Sequence, residues 1–187
     1  MTATMNESEL PEALQARLND PEVVSHRIDE HGAIPNNPKI PLLVYPQAVS
    51  LPEDDPAAIF EALFTENGWH GTWRNGVYST HHYHSTAHEV LGVYRGSARI
   101  QFGGDPGPVV TVSAGDVVVI PAGVAHKNLG DSGHLGIVGA YPRGQTWDMN
   151  YGQAGERPGA DRNIAKVGTP ERDPVYGANG PLIERWT

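Results

Sequence analysis

An all-β protein, a small closed barrel or sandwich of short antiparallel strands, is what this 187-residue sequence predicts, on three observations. Its 22 glycines and 16 prolines make up about a fifth of the chain, against about 12% in average usage, and so favour strands joined by turns over a bundle of helices. Between residues 69 and 142 seven short segments of period two follow one another, punctuated by glycine: WHGTWRNGVY, HHYH, EVLGVYRG, SARIQF, VVTV, DVVVIP and LGIVGAY. The length suits one domain around one core.

In residues 7–19, ESELPEALQARLN, Leu10, Leu14 and Leu18 recur every four residues on one helical face, with Pro11 confined to the first turn. Residues 34–49, IPNNPKIPLLVYPQAV, hold four prolines around a short apolar run. Proline cannot donate to a central ladder, so this segment reads as an extended edge strand or wrapping arm. Asp55 offers an N-cap with Pro56 at the first helical position, and Ile59, Phe60, Leu63 and Phe64 form one stripe until Asn67 and Gly68 end it. In SARIQF, Ala98, Ile100 and Phe102 share one face and Arg99 and Gln101 the other, as in a strand with one packed and one wet side. GGDPGP, residues 103–108, turns that strand into VVTV as a hairpin. After Pro142 the periodicity fades into a glycine-rich stretch ending in DPVYGANGPLIERW, which reads as a tail laid over the barrel. The expected layout is N-terminal helices and a proline-rich arm over 1–68, the barrel over 69–142 and the tail over 143–187, all in one globular domain.

Composition narrows the function. Thirteen basic against 22 acidic residues give a net charge of -9, and residues 1–31 hold seven acids and two bases. A nucleic-acid partner needs a basic face, so none is expected. There is no run of about 18 apolar residues and no basic start followed by an apolar signal core, so the expectation is a cytoplasmic protein with no membrane partner. The absence of cysteine excludes disulfides, thiolate-zinc sites and cysteine nucleophiles, so any metal would be held by His, Asp or Glu.

Four of the nine histidines, His81, His82, His84 and His88, fall within eight residues; Glu89 follows directly, and His126 lies farther on after PAGVA. Residues two apart on a strand project to one side, so His82 and His84 offer two imidazoles to one point, while His81 and Tyr83 face away. In one unbroken strand His88, not Glu89, would join them. Glu89 joins only if the chain turns at Ser85 and Thr86, which sets Glu89, Leu91 and Val93 inward on the next strand. His26, His31, His70 and His134 read as ordinary hydrogen-bonded side chains. Thr86 to Glu89 also fits a helix capping box, against which Gly92 and its β-branched neighbours argue. Trp69 and Trp73 share a strand face and read as core or edge packing, with a ligand mouth as the alternative.

The spacing Gly76, five residues, His82-Tyr83-His84, four residues, Glu89, six residues, Gly96 resembles the first motif of the cupin superfamily. Gly115, five residues, Pro121-Ala122-Gly123, two residues, His126 resembles most of the second, with 18 residues between the motifs as in microbial single-domain cupins. Where the family carries an asparagine four residues after the lone histidine, this sequence has Gly130, with Asn128 nearby. The flanking IPNNP and DPVYG text resembles that of a little-characterised bacterial cupin group. The resemblance implies a double-stranded β-helix, or jelly-roll, barrel with one divalent transition metal, Fe, Mn, Ni, Co or Zn, held by His82, His84, Glu89 and His126. An octahedral ion with four protein ligands keeps two positions for a small-molecule substrate. The resemblance also implies dioxygenase, isomerase or lyase chemistry on small acids, phenols or sugars, and a homodimer. A dioxygenase-type oxidoreductase is the leading expectation, with a non-catalytic ligand-binding or sensing module as the alternative. Leu91, Val93, Ala98, Ile100 and Phe102 are expected to wall the pocket. No general base is identified; Tyr83 and His88 are candidates by proximity alone.

Overall fold

The computed structural model describes residues 10–187. In chain order its elements are α1 (Glu12–Gln15), β1 (Val24–Ile28), β2 (Asn37–Tyr45), α2 (Pro56–Glu66), β3 (Trp69–Asn75), β4 (Glu89–Arg95), β5 (Ser97–Phe102), β6 (Val109–Ser113), β7 (Val117–Ile120), β8 (His126–Asp131), β9 (Gly136–Pro142), α3 (Gly159–Ile164) and α4 (Pro181–Arg185). The strands pair antiparallel into a six-stranded sheet of order β1-β2-β7-β4-β9-β3 and a three-stranded sheet of order β6-β5-β8, which face each other as a jelly roll. No helix among the described residues is long and apolar enough to cross a membrane.

Alternation along the larger sheet builds two cores. Leu42, Val44, Leu91, Val93, Val118, Ile120 and Ile137 point between the sheets, where they meet Ala98, Ile100 and Phe102 of β5. Their neighbours Leu43, Tyr45, Val90, Val117, Val119, Val138 and Ala140 point outward against Phe60, Leu63 and Phe64 of α2 and Val175, Leu182 and Trp186 of the tail. This sheet is buried on both faces, which is why VVVI reads as a continuous apolar run. Only β5 shows the expected dry and wet sides, and GGDPGP does turn it into β6. At Gly92 a Cβ would stand 2.5 Å from the Phe60 ring, so glycine there lets α2 lie against the sheet.

Several local expectations give way to tertiary structure. The N-terminal helix is a single turn, and residues 7–9 of its expected span lie outside the described residues. Leu18 leaves the helix to bridge Val49, with Asn19 N donating to Ala48 O at 2.9 Å and Ser50 N to Arg17 O at 2.8 Å, so long-range pairing overrides the leucine periodicity. The proline-rich segment is not an edge: β2 lies between β1 and β7. Its prolines are tolerated because the β7 ladder involves only Leu43, Val44 and Tyr45, beyond Pro38 and Pro41. Asp55 precedes α2 but makes no side-chain cap; its carboxylate is drawn off by the Arg74 guanidinium at 2.8 Å. HHYH forms isolated bridges and no strand, while His126–Asp131, which showed no clear alternation, is β8.

Candidate metal centre

His82 and His126 meet through the backbone. His126 N donates to His82 O at 2.9 Å and His82 N to His126 O at 3.3 Å, a bridge that sets their rings 4.1 Å apart. Tyr83 and Asn150 make the next such bridge, which holds the segment against the tail and turns Tyr83 away toward Ala125 and Ala160. The chain then bends at Ser85 and Thr86, and β4 starts at Glu89. With the phase of β4 set there, Glu89, Leu91 and Val93 face the barrel interior. His88 faces out: its Nδ1 accepts from Ala122 N at 2.8 Å and its ring lies 4.7 Å from that of Trp186. His81 turns to the surface, its Nε2 3.0 Å from Asp105.

The three inward histidines are oriented alike. Nδ1 of His82 faces Thr80 O at 2.9 Å, Nδ1 of His126 faces Val124 O at 3.2 Å, and Nδ1 of His84 faces Asp148 O. A carbonyl can only accept, so each Nδ1 carries a proton, and in the neutral ring each Nε2 presents its lone pair. One ligand atom from each of the three residues lies within 4.8 Å of the others, and all three are buried. Glu89 Oε2 adjoins this group, 3.3 Å from Nε2 of His84 and of His126, and has no hydrogen bond. Its other oxygen accepts from the Tyr141 hydroxyl at 3.0 Å, which in turn accepts from Trp73 Nε1 at 3.0 Å.

With each ring neutral, three imidazole lone pairs and a carboxylate oxygen repel one another unless positive charge, a proton or a metal ion, sits among them. Burial pulls His82 down to about 3, helped by neighbouring His126. Burial acts on His84 in the same direction, but the Glu89 carboxylate outweighs it and raises that ring above its ordinary value. Burial would raise Glu89, yet His84 and His126 hold it well below the usual carboxylate range. Donors about 2.1 Å from one ion stand about 3 Å apart at right angles, near the 3.3 Å from Glu89 Oε2 to Nε2 of His84 and of His126, and about 4 Å across it, inside the 4.8 Å that bounds the three histidines. The donor set and its geometry thus fit a divalent transition ion, and His82, His84 and His126 form a buried cluster able to hold one.

The cluster forms one end of a pocket of about 250 Å³. Of the residues expected to wall it, only Leu91 does so; Val93, Ala98, Ile100 and Phe102 fill the barrel beneath. Trp73, Val77, Tyr78, Tyr141, Trp147 and Met149 make the rest of the apolar lining. Trp69 and Trp73 do not share a face, because a β-bulge between His70 and Trp73 reverses the alternation. Trp69 goes to the outer core, and Trp73 lies flat over Gly139, where a Cβ would come within 2.1 Å of the indole.

Sequence reasoning missed Tyr141, Trp147 and Asp148. Tyr141 lies in a recognisable strand, but Gly139 breaks its pattern. Trp147 and Asp148 come from a stretch without periodicity and are placed by contacts: Asp148 accepts from Ser85 N at 2.6 Å and from Ser85 Oγ, and Asn163 Nδ2 donates to that hydroxyl at 3.0 Å. Ser85 and the tail together thereby fix the carbonyl that orients His84.

Residues 69–133 match the family model of the cupin domain. Over 165 residues the chain is 41% identical to the uncharacterized protein YjlB of Bacillus subtilis (strain 168), covering 88% of this chain and 97% of that protein. Among solved structures, a DUF861 family protein from Thermotoga maritima aligns with a TM-score of 0.30 and 18% identity over 48% of this chain and 94% of its own. RmlC from Streptococcus suis in complex with dTDP-D-xylose aligns with a TM-score of 0.34 and 13% identity over 88% of this chain and 93% of its own. Structural likeness of that degree carries no argument about activity. The domain match and the identity along nearly the whole of a relative do establish descent, and the chain belongs to the cupin superfamily.

Proposed function

We propose that this protein is a mononuclear metal-dependent enzyme, with His82, His84, Glu89 and His126 as ligands, and that it oxidises a small oxygenated molecule in a dioxygenase-type reaction. One observation carries the choice of reaction: the pocket leads straight to four acceptor atoms and, among the described residues that line it, offers no other carboxylate, histidine or lysine. Isomerase and lyase reactions that move a proton on carbon need a side chain to take it. Tyr141 is engaged in both directions, accepting from Trp73 and donating to Glu89, and Tyr78, the other tyrosine on the wall, stands at the rim, 62% exposed. Tyr83 and His88, the earlier candidates for a base, both face away from the pocket.

When bound, the ion would supply Lewis acidity toward a coordinated oxygen and, for a redox-active metal, electron transfer with dioxygen. The chain's own groups prepare that place. The Nδ1–carbonyl contacts hold the imidazoles in one tautomer, Tyr141 steers Glu89 so that Oε2 stays free, and Leu91, Trp73 and Trp147 exclude water from the acceptor cluster.

Metal analysis of the purified chain, followed by oxygen uptake with phenols, diketones and hydroxy acids, tests the proposal. One ion per chain and oxygen consumption with at least one compound are expected. A metal-loaded chain that consumes no oxygen yet gains thermal stability from a panel member is a binding module and overturns the enzymatic reading. Turnover without oxygen uptake overturns the reaction type and leaves isomerase or lyase chemistry.

A further inference from the structure

We infer that the pocket selects a singly charged oxygen chelator with an aromatic or apolar body, an ionised catechol or enolised diketone, over dicarboxylates, phosphate esters and sugars. The inference rests on the metal-centre reading and sharpens it.

Charge is the first argument. A divalent ion with three neutral imidazoles and the Glu89 carboxylate leaves the centre with one net positive charge, which one monoanion neutralises. A dianion would leave a buried negative charge in need of a cation from the protein. Among the described residues Arg74 is the one Lys or Arg along the pocket, and its guanidinium is already bound by both Glu61 oxygens at 2.7 Å and by Asp55 at 2.8 Å. Two carboxylates on one guanidinium leave no positive charge to offer an anion. The chain as a whole, at a net charge of -9, adds repulsion.

Hydrogen bonding is the second. A sugar brings several hydroxyls, each of which loses its water partners in a pocket unless the wall replaces them. Here the Tyr141 hydroxyl and Trp73 Nε1 are taken by each other and by Glu89, and Asn75 Oδ1 accepts from Gly76 N at 2.9 Å. The polar groups that remain, Asn75 Nδ2, Tyr78 and Trp147, belong to exposed side chains at the rim, the last two 62% and 48% exposed. The inner wall therefore offers ring faces, Leu91 and Met149, surfaces that suit an aromatic or aliphatic body.

The test uses the full chain loaded with Mn(II) under nitrogen, its metal content measured before and after. Dissociation constants for 4-methylcatechol, acetylacetone, malonate and glucose are read from quenching of tryptophan fluorescence and checked by calorimetry. At least about tenfold tighter binding of 4-methylcatechol or acetylacetone than of malonate or glucose is expected. In Met149→Lys, which adds a cation at a half-buried position of the wall, malonate should gain about tenfold relative to 4-methylcatechol. Malonate or glucose binding as tightly as both chelators to the wild-type chain overturns the inference and leaves the metal centre standing. A folded, metal-loaded Met149→Lys chain with unmoved malonate affinity overturns the charge argument. A wild-type chain that takes up no Mn(II), Fe(II), Ni(II), Co(II) or Zn(II) overturns the metal-centre reading and the inference with it.

Discussion

Two carboxylates are buried on opposite faces of the six-stranded sheet, and they are treated in opposite ways. Asp173, on the outer face, accepts four hydrogen bonds: Tyr45 OH at 2.6 Å and Leu182 N at 3.0 Å on one oxygen, Val175 N at 2.8 Å and Tyr176 N at 3.0 Å on the other. Glu89, on the inner face, accepts one bond on Oε1, while its Oε2 makes none and faces Nε2 of His84 and of His126 at 3.3 Å. Burial raises Asp173 above the ordinary value, its neutral donors only partly offsetting the lost solvation; Glu89 stays low because its neighbours can carry positive charge. A saturated buried carboxylate ties chain segments together. One left open toward a cavity is arranged for something that enters the cavity.

The largest effect expected from this contrast is at Asp173. Asp173→Ala strands the Tyr45 hydroxyl and three backbone N–H groups of the tail, at a cost on the order of 4 kcal/mol, read as a lower urea midpoint at unchanged slope. A change within about 0.5 kcal/mol would show that the tail is held by apolar contact alone.

Next comes His88, which burial pushes down to about 4 from an ordinary 6.5. Between those values the unfolded chain binds a proton that the folded chain refuses. Stability of the metal-free protein should therefore fall as pH drops through that window, by about 3 kcal/mol at its foot. His88→Asn keeps an acceptor for Ala122 N and should remove this share, while His82, lowered to about 3, keeps its own. An unchanged slope in His88→Asn would place the acid sensitivity elsewhere.

Glu89→Gln tests the inner face. Metal affinity should fall at least about 100-fold, beyond the upper end of what a residue supporting a ligand costs, while the metal-free fold changes by no more than about 1 kcal/mol. His84→Ala and His126→Ala should lose most bound metal as well. If Glu89→Gln unfolds the chain and keeps its ion, the contrast with Asp173 is wrong. Tyr141→Phe, which frees Glu89 Oε1, should weaken metal binding about tenfold with little change in stability. His81→Ala should leave metal content unmoved, since that ring faces Asp105 at the surface.

Much of the centre was legible because it depends on alternation over short distances. His82 and His84 are two apart and converge; the bend at Ser85 and Thr86 puts Glu89 inside, as the turn hypothesis required, and His88 outside. The same reasoning failed for Trp69 and Trp73, four apart, because one bulge reverses the count; its signal was Gly71, a glycine inside a strand that here takes a φ of +68°. It failed again where neighbours in space are far apart in sequence. The prolines of β2 suggested an edge, yet β7 pairs with the part of β2 that lacks them. The side chains beneath the centre were mistaken for its walls, since facing inward does not tell how far along the barrel a residue lies.

Resemblance to the cupin motifs pointed to Glu89 and His126; by itself the sequence determined the all-β class, the hairpin at GGDPGP, the α2 stripe and the shared side of His82 and His84. These follow from period, turn chemistry and spacing, which act between residues close along the chain. Only the tertiary structure decided that His126 bonds across the barrel to His82, that Asp148 of the tail orients His84, and that Tyr141 holds Glu89 while Trp73 and Trp147 line the pocket. Each of these contacts joins segments whose meeting is set by sheet order and bulges, and neither is encoded in the local pattern of either partner.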